Sequence, residues 1–153
     1  MPGGPAYAAG VSQAVDGKPT PKSEAQPTRG RCACGALRFV VRGPLRPVIY
    51  CHCDTCRRLS GHFVAATACA REDLELEASH TLRWFQSSAA ARRGFCGSCG
   101  SALFWDHAAR STMSIMAGSI EKPTGLTAGE HIFLDEAGDY YRIADGLPAR
   151  ARD

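Results

Sequence analysis

Cysteine dominates the chemistry that this sequence offers, because seven of its eight cysteines fall into three short clusters. Two clusters are pairs and the third is a triplet: Cys32 and Cys34, Cys96 and Cys99, and Cys51, Cys53 and Cys56. Four thiolates complete a tetrahedral zinc site, whereas three thiolates leave one coordination position open. The spacing therefore predicts two zinc ions per chain, one in a closed structural site and one in an open site where chemistry is feasible.

The two pairs have the glycines and the spacing that a shared four-cysteine site needs. Sulfur atoms bound to one zinc lie roughly 3.8 Å apart, whereas alternate residues of a flat strand rise about 6.8 Å. The segment with Cys32 and Cys34 must therefore bend, and Gly35 supplies the backbone freedom for that bend. The stretch 96–100 is typical of a zinc knuckle closed by Gly100. We predict one structural zinc that links distant parts of the chain and makes metal binding part of folding.

The remaining cysteine and the histidine inside the triplet have simpler interpretations than metal binding. Cys69 ends the apolar run 64–69, as a buried small hydrophobic residue would. His52 alternates with Cys51 and Cys53, so its ring should point away from their sulfur atoms. We expect His52 to be a core residue or to support the ligands from behind. As a fourth ligand it would close the site and make it structural.

Several other side chains have both a functional and a structural interpretation. Arg57 and Arg58 follow the last triplet cysteine, where they would neutralise the thiolates, bind a substrate carboxylate, or form a solvated pair on a short helix. Arg92 and Arg93 are expected on a solvated face, with pairing to nearby acids as the alternative. Four strand aromatics are expected in the core, with a pocket wall as the alternative: Phe63, Trp84, Phe104 and Trp105. Four histidines are assigned no role: His62, His80, His107 and His131.

Short strands separated by turn residues must position these clusters, because no long helical period is present. The strands are predicted at 36–42, 47–50, 63–69, 74–77, 81–86, 102–105, 112–117, 131–134 and 140–143. One helical turn is expected at 54–59. The pattern predicts an all-β domain. Residues 1–28, which are rich in Pro, Gly and Ala, are expected to form a disordered leader before a zinc-binding domain at 29–150.

Length and charge narrow the class of protein further. The 153 residues suit a single domain, and the formal net charge of +3 gives no strong reason to expect nucleic acid or an anionic membrane as a partner. No stretch has the length and apolarity of a membrane span, and the first residues lack the pattern of a secretory signal. We therefore expect a cytoplasmic protein with reduced thiols. A secreted disulfide scaffold and a redox CxxC pair are the alternatives.

The clusters and their flanking residues form an ordered set of motifs. These are Gly-x-Cys-x-Cys-Gly at 30–35, Cys-His-Cys-x-x-Cys-Arg-Arg at 51–58 and Gly-Phe-Cys-x-x-Cys-Gly-Ser-x-Leu-x-Trp at 94–105. Two later motifs are His-Ile-Phe-Leu-Asp at 131–135 and Ile-x-Asp-Gly-Leu-Pro at 143–148. The whole set resembles the glutathione-dependent formaldehyde-activating family, which includes centromere-protein-V-like proteins. The likeness covers roughly residues 30–148.

This resemblance implies a fold, two metal sites and a reaction. The fold would be an all-β arrangement of folded-over sheets, the β-tent. The structural zinc would be bound by the two cysteine pairs and the second zinc by the triplet, as the arithmetic of the clusters also indicates. The activity would be condensation of glutathione with formaldehyde to S-hydroxymethylglutathione, formally a carbon–sulfur lyase reaction. A thiol that coordinates zinc loses its proton and would attack an aldehyde held beside it. The opposite order, with the aldehyde on the zinc, is equally compatible with the sequence.

Three classes of function are therefore open. The first is an enzyme whose partners are a glutathione-like thiol and a formaldehyde-like aldehyde. The second is a zinc-stabilised module that binds protein or nucleic acid without catalysis, although residues 1–29 contain no polybasic stretch. The third is a metal or redox sensor that uses the triplet. The sequence leaves the natural substrates and the oligomeric state open.

Overall fold

The computed structural model describes residues 26–153. Apart from its last three residues, the leader expected at 1–28 lies outside the described residues. The ten strands of the described part are β1 (Thr28–Arg31), β2 (Arg38–Val41), β3 (Val48–Cys51), β4 (Val64–Ala70), β5 (Leu74–Ala78), β6 (Leu82–Gln86), β7 (Ala91–Cys96), β8 (Ala102–His107), β9 (Thr112–Met116) and β10 (Ala128–Ile132). The helix α1 (Asp54–Ser60) lies between β3 and β4, and three 3-10 turns lie at Arg71–Asp73, Ala117–Ser119 and Leu134–Glu136.

The strands form two sheets, which confirms the all-β class. The larger sheet has the order β10-β3-β4-β9-β8-β7-β6, and the smaller sheet has the order β1-β2-β5. Neighbouring strands are antiparallel except for β10 and β3, which are parallel. None of the helices among residues 26–153 has the length and apolarity that a membrane crossing requires.

The main core lies where the two sheets meet. Phe39 of β2 and Phe104 of β8 pack edge to face with ring centroids 5.2 Å apart, and both side chains are almost fully buried. Truncating a packed phenylalanine to alanine costs about 3–5 kcal/mol, so this contact is a major link between the sheets. Cys69 is 2% exposed within the same cluster, and burial raises its pKa to about 11. The expectation that Cys69 is a buried small hydrophobic residue is confirmed.

Several element boundaries differ from the sequence prediction. The stretch 140–143 is not a strand, because Tyr140 is exposed and the chain there is fastened through side chains instead of a sheet ladder. The strand expected at 131–134 is β10, which begins at Ala128 and ends at Ile132. Strands β1 and β7 were not expected, because their many polar and small residues hide the period of two. The helical turn at 54–59 is confirmed as α1.

Candidate metal centres

The first cysteine pair lies in the tight loop between β1 and β2. The backbone N–H of Cys32 donates to the carbonyl of Leu37 at 3.0 Å, and the N–H of Gly35 donates to the carbonyl of Cys32 at 3.1 Å. Gly35 has a φ of +76°, a left-handed conformation that favours glycine. This is the bend that the spacing of Cys32 and Cys34 required.

The second pair lies in the loop between β7 and β8 and has the geometry of a knuckle. The N–H of Gly100 donates to the carbonyl of Cys96 at 2.8 Å, and Gly100 has a φ of +75°. The N–H of Cys96 donates to the carbonyl of Ser101 at 2.9 Å, which closes the hairpin. Hydrogen bonds with Ser101 are the leading cause that lowers the pKa of Cys99 to about 5, so this sulfur is well suited to be a thiolate ligand.

The two loops bring the four sulfur atoms together. The sulfur of Cys34 lies 3.4 Å from that of Cys32 and 3.9 Å from that of Cys96, and all four sulfurs lie within 4.8 Å of one another. These separations are close to the roughly 3.8 Å expected for two sulfurs on one tetrahedral zinc. All eight cysteines are free, so no disulfide competes with metal binding. The side chains present therefore fit a four-thiolate zinc.

The triplet is built by the end of β3 and the start of α1. Cys51 ends the strand, Cys53 caps the helix, and Cys56 lies in the first helical turn. The sulfur of Cys53 accepts from the N–H of Cys56 at 3.4 Å, so the cap itself turns both side chains to one side. The helix ends at Gly61, whose φ is +74°. Because α1 is so short, its caps largely determine where the third sulfur lies.

The triplet sulfurs form a site with room for a cation. They lie within 4.8 Å of one another, and no fourth His, Cys, Asp or Glu of residues 26–153 joins the group. Hydrogen bonds from the other two thiols lower the pKa of Cys53, while the hydrogen bond with Cys53 raises the pKa of Cys51. Three thiols this close cannot all ionise without positive charge between them. A divalent metal supplies that charge, so the donor set fits zinc in three-thiolate coordination with one position left open.

His52 points away from the triplet and into a hydrogen-bonded chain. Its Nε2 lies 2.8 Å from Nδ1 of His131, and its Nδ1 lies 2.6 Å from the hydroxyl of Tyr141. Nε2 of His131 lies 3.0 Å from a carboxylate oxygen of Asp145. His52 is fully buried, so the expectation of a core histidine that supports the ligand strand is confirmed. The sequence analysis missed His131, whose partners come from distant parts of the chain.

A cavity of about 250 Å³ opens beside the triplet and is lined by all three of its cysteines. Its apolar wall is formed by Ile49, Val64, Ala66, Met116, Ile132 and Phe133. Of the four aromatics expected in the core or in a pocket wall, Trp105 lines this cavity. Phe104 is a core residue on which Trp84 packs. Phe63 packs on Tyr50 and His52. A larger groove of about 690 Å³ runs past Cys32 and Ser101, on the side of the four-cysteine cluster. Of these two cavities of the described residues, the smaller one borders the triplet.

Of the four arginines near the clusters, Arg93 differs from the sequence expectation. Arg57 and Arg58 both pair with Asp54 and do not line the cavity. Arg92 pairs with Asp106 at 2.9 Å and lies over the ring of Trp84. Arg93 was expected on a solvated face, but this was wrong: it is half-buried, lines the cavity and has Nη2 3.7 Å from the sulfur of Cys56. Reading 91–96 as a strand that ends at a ligand cysteine would have placed Arg93 on the face opposite to that cysteine.

The fold and the site define an all-β protein with two cysteine centres that are suited to metal, one closed and one open. The chain belongs to the glutathione-dependent formaldehyde-activating enzyme family, whose sequence profile matches residues 27–136. This confirms the resemblance seen in the motifs. The chain is also 26% identical over 119 residues to an uncharacterized lyase from Schizosaccharomyces pombe, across 76% of this chain and 85% of that relative.

A solved structure supports the fold independently. A Rhodobacter sphaeroides protein of known crystal structure is similar to this chain with a TM-score of 0.53 and 23% identity, and the match covers 63% of this chain and 91% of the other. At this identity the likeness concerns the fold alone. The family and the lyase relative together support a lyase-type activity, with glutathione and an aldehyde as the substrates that the family name implies.

Proposed function

We propose that this protein is a zinc-dependent enzyme of the carbon–sulfur lyase type, which joins a glutathione-like thiol to a formaldehyde-like aldehyde and catalyses the reverse reaction. One observation carries the proposal: the three-cysteine cluster has no fourth ligand among residues 26–153 and opens onto a cavity of small-molecule size. A structural zinc site has no need of an adjoining cavity, whereas a reacting centre does.

We assign one zinc to Cys32, Cys34, Cys96 and Cys99 and a second zinc to Cys51, Cys53 and Cys56. Cys51, Cys53 and Cys56 would hold this second zinc with one coordination position left open, and a thiol that coordinates there would lose its proton more readily. Reduced thiolates are needed at both centres, so we also place the protein in the cytoplasm. The zinc-binding domain proposed from the sequence, 29–150, contains both centres.

The side chains of the cavity would position the two reactants, exclude water and supply positive charge. In the forward reaction the carbon–sulfur bond forms as the carbonyl π bond breaks, and the thiol proton ends on the former carbonyl oxygen. The apolar wall excludes water and holds the two reactants close together, which lowers the entropic part of the barrier. Arg93, beside the sulfur of Cys56, lies where its charge favours negative charge at the reacting centre.

Exchange NMR of glutathione with formaldehyde tests the proposed reaction. The zinc-loaded protein is expected to accelerate interconversion of free and hydroxymethylated glutathione above the uncatalysed rate. The matched control is Cys69→Ala, which changes a cysteine outside both centres and should accelerate the reaction as the wild type does. A fully metallated wild type that leaves the exchange rate unchanged, with this pair and with other thiols and aldehydes, would refute the proposal.

The non-catalytic binding module has less support from the described residues. Two basic side chains at the small sheet are paired with acids: Arg29 of β1 with Glu77, and Arg42, directly after β2, with Glu75. Arg31 is paired with Glu121 in the same way. These pairs reduce the net charge that a nucleic-acid surface needs.

A further inference from the structure

Three arginines line the cavity of the triplet, and they come from three separate parts of the chain. Arg46 precedes β3, Arg93 lies in β7, and Arg110 lies between β8 and β9. The only carboxylate among the lining residues is that of Asp153. Three thiolates with one zinc would carry a net negative charge, and one carboxylate adds another, but the three guanidinium groups still leave an excess of positive charge. This excess points to an anionic ligand.

Arg46 brings a positive charge to the lining of the cavity. Its guanidinium donates to the backbone carbonyls of Pro47 at 2.8 Å and Ala66 at 3.3 Å, and no carboxylate of residues 26–153 lies within ion-pair distance. Burial lowers the pKa of Arg46, the carboxylate of Glu130 raises it, and the positive charge of Arg110 lowers it. The nearby carboxylate of Glu130 is engaged by Arg150 at 2.8 Å. An anion in the cavity would relieve the repulsion between Arg46 and Arg110.

Arg93 brings an unsatisfied donor. Its Nε is buried and has no hydrogen-bond partner in the described part of the chain, while its Nη2 reaches the sulfur of Cys56. A buried N–H without a partner costs free energy that a bound acceptor recovers. The planar guanidinium is well matched to the two oxygens of a carboxylate.

Arg110 shows that a carboxylate reaches this wall. Its Nη2 lies 3.6 Å from a carboxylate oxygen of Asp153, and both side chains are more than half exposed. Such a long, exposed ion pair contributes little stability and is readily exchanged for another anion. The guanidinium carbon of Arg110 also lies over the ring of Trp105, 5.4 Å from the ring centroid.

We propose that Arg46, Arg93 and Arg110 form a carboxylate-binding wall that recognises an acidic group of the thiol substrate, with Asp153 holding the place of that group when the substrate is absent. The identity of the ligand as a thiol rests on the proposed function, whereas the anion site rests on the arginines. The wall replaces Arg57 and Arg58 as the contact for a substrate carboxylate, because both of those side chains are already paired with Asp54.

Calorimetric titration of the zinc-loaded protein with S-methylglutathione tests the wall without a reaction. The methylated sulfur cannot become a thiolate, so binding reports the carboxylate contacts. The diethyl ester of the same peptide is expected to bind about tenfold to a hundredfold more weakly, as loss of charged hydrogen bonds predicts. Arg46→Gln and Arg110→Gln should weaken the acid by a similar factor and leave the ester unchanged, and Asp153→Asn should tighten the acid.

The matched control is Arg42→Gln, because Arg42 directly follows β2, is exposed, pairs with Glu75 and does not line the cavity. It should bind both peptides as the wild type does. Since Arg110 is exposed, its variant is expected to fold. Arg46→Lys should retain part of the affinity for the acid, because lysine keeps the positive charge. The proposal is overturned if acid and ester bind equally, if neither binds, if the arginine variants bind like wild type, or if inorganic phosphate binds more tightly than the peptide.

The same samples separate this proposal from the proposed function. Arginine-dependent binding of S-methylglutathione together with no acceleration of formaldehyde exchange would leave the anion site standing and remove the reaction. If Arg46→Gln and Arg110→Gln accelerate exchange as the wild type does at low glutathione concentration, the reaction would stand and the anion site would be removed.

Discussion

Among single residues, Asp106 is a buried carboxylate whose ionised form is stabilised by two neighbouring arginines. It is 6% exposed and accepts hydrogen bonds from Arg71 and from Arg92. Burial alone would raise the pKa of this carboxyl, but the two guanidinium groups outweigh burial and lower it. The ionised Asp106 therefore links β8 to β7 and to the turn after β4, close to the hairpin that carries Arg93.

Asp106→Asn is expected to lower the free energy of unfolding by about 2–3 kcal/mol at neutral pH, because both arginines lose their ionic partner. A carboxyl whose folded pKa is lowered stabilises the fold above its unfolded pKa of about 3.9 and loses that contribution as the pH falls through the folded value. In urea unfolding, the difference between wild type and variant should therefore shrink below a pH of about 4. A difference that stays constant down to strongly acidic pH would contradict this account of Asp106.

At the scale of elements, α1 is a seven-residue helix held by its two ends. Cys53 caps its start, and Gly61 ends it in a left-handed conformation with its N–H on the carbonyl of Arg57. No atom lies within 4 Å of a Cβ built at Gly61, so the cost of a side chain there is conformational and not steric. The caps thus position Cys56 for the triplet.

Gly61→Ala should destabilise the protein by about 1–2 kcal/mol, because the left-handed conformation brings the Cβ of alanine too close to the following carbonyl oxygen. Gly118→Ala is the matched control, since Gly118 also has open space around it but no positive φ. Urea unfolding of the two variants should differ by about 1 kcal/mol or more. Equal effects from both substitutions would show that the left-handed cap does not limit the stability of this region.

The segment at 140–143, after β10, has no regular secondary structure and is attached to the rest of the protein by side-chain hydrogen bonds. Tyr141 bonds to the buried His52, whereas the exposed Tyr140 donates to the carbonyl of Gly61 at 3.1 Å. Tyr141→Phe should cost about 1–2 kcal/mol because it leaves a buried ring nitrogen of His52 without its partner, and Tyr140→Phe should cost less than about 0.5 kcal/mol. Thermal unfolding of the pair measures this, and a larger effect at Tyr140 would contradict it.

At the scale of the whole molecule, the four-cysteine cluster joins the two sheets. Its first pair comes from the β1–β2 loop of the smaller sheet and its second pair from the β7–β8 loop of the larger sheet. A metal bound there stabilises the folded arrangement directly, because the unfolded chain has no preformed site. The triplet, in contrast, lies within one continuous stretch of β3 and α1.

Loss of metal from the two centres should therefore have unequal consequences. Cys34→Ser is expected to reduce the zinc content from two ions to one and to destabilise the protein by several kcal/mol. Cys53→Ser should lose one zinc as well but retain most of the unfolding free energy. Metal analysis combined with urea unfolding compares the two variants. Equal destabilisation would argue that the triplet also holds the sheets together.

The sequence was most informative where chemistry is local. Cysteines two or three residues apart constrain the backbone themselves, so the three cysteine clusters and the short helix after Cys53 were predictable. The wall of the cavity was not, because Arg46, Arg93 and Arg110 are brought together only by strand pairing across the larger sheet. The stretch 140–143 has the composition of a strand, but its tyrosines form hydrogen bonds with His52 and Gly61 instead. Contacts between such distant residues leave no periodic pattern in the sequence.

One paired measurement tests most directly whether the proposed reaction of thiol with aldehyde takes place at the triplet. The exchange rate of glutathione with formaldehyde is measured by NMR on wild type and Cys53→Ser, with the zinc content and fold of each sample determined in parallel. We predict acceleration by the wild type with two zinc ions, and none by a folded Cys53→Ser with one. A folded Cys53→Ser protein that has lost one zinc and still accelerates exchange as the wild type does would contradict the proposal.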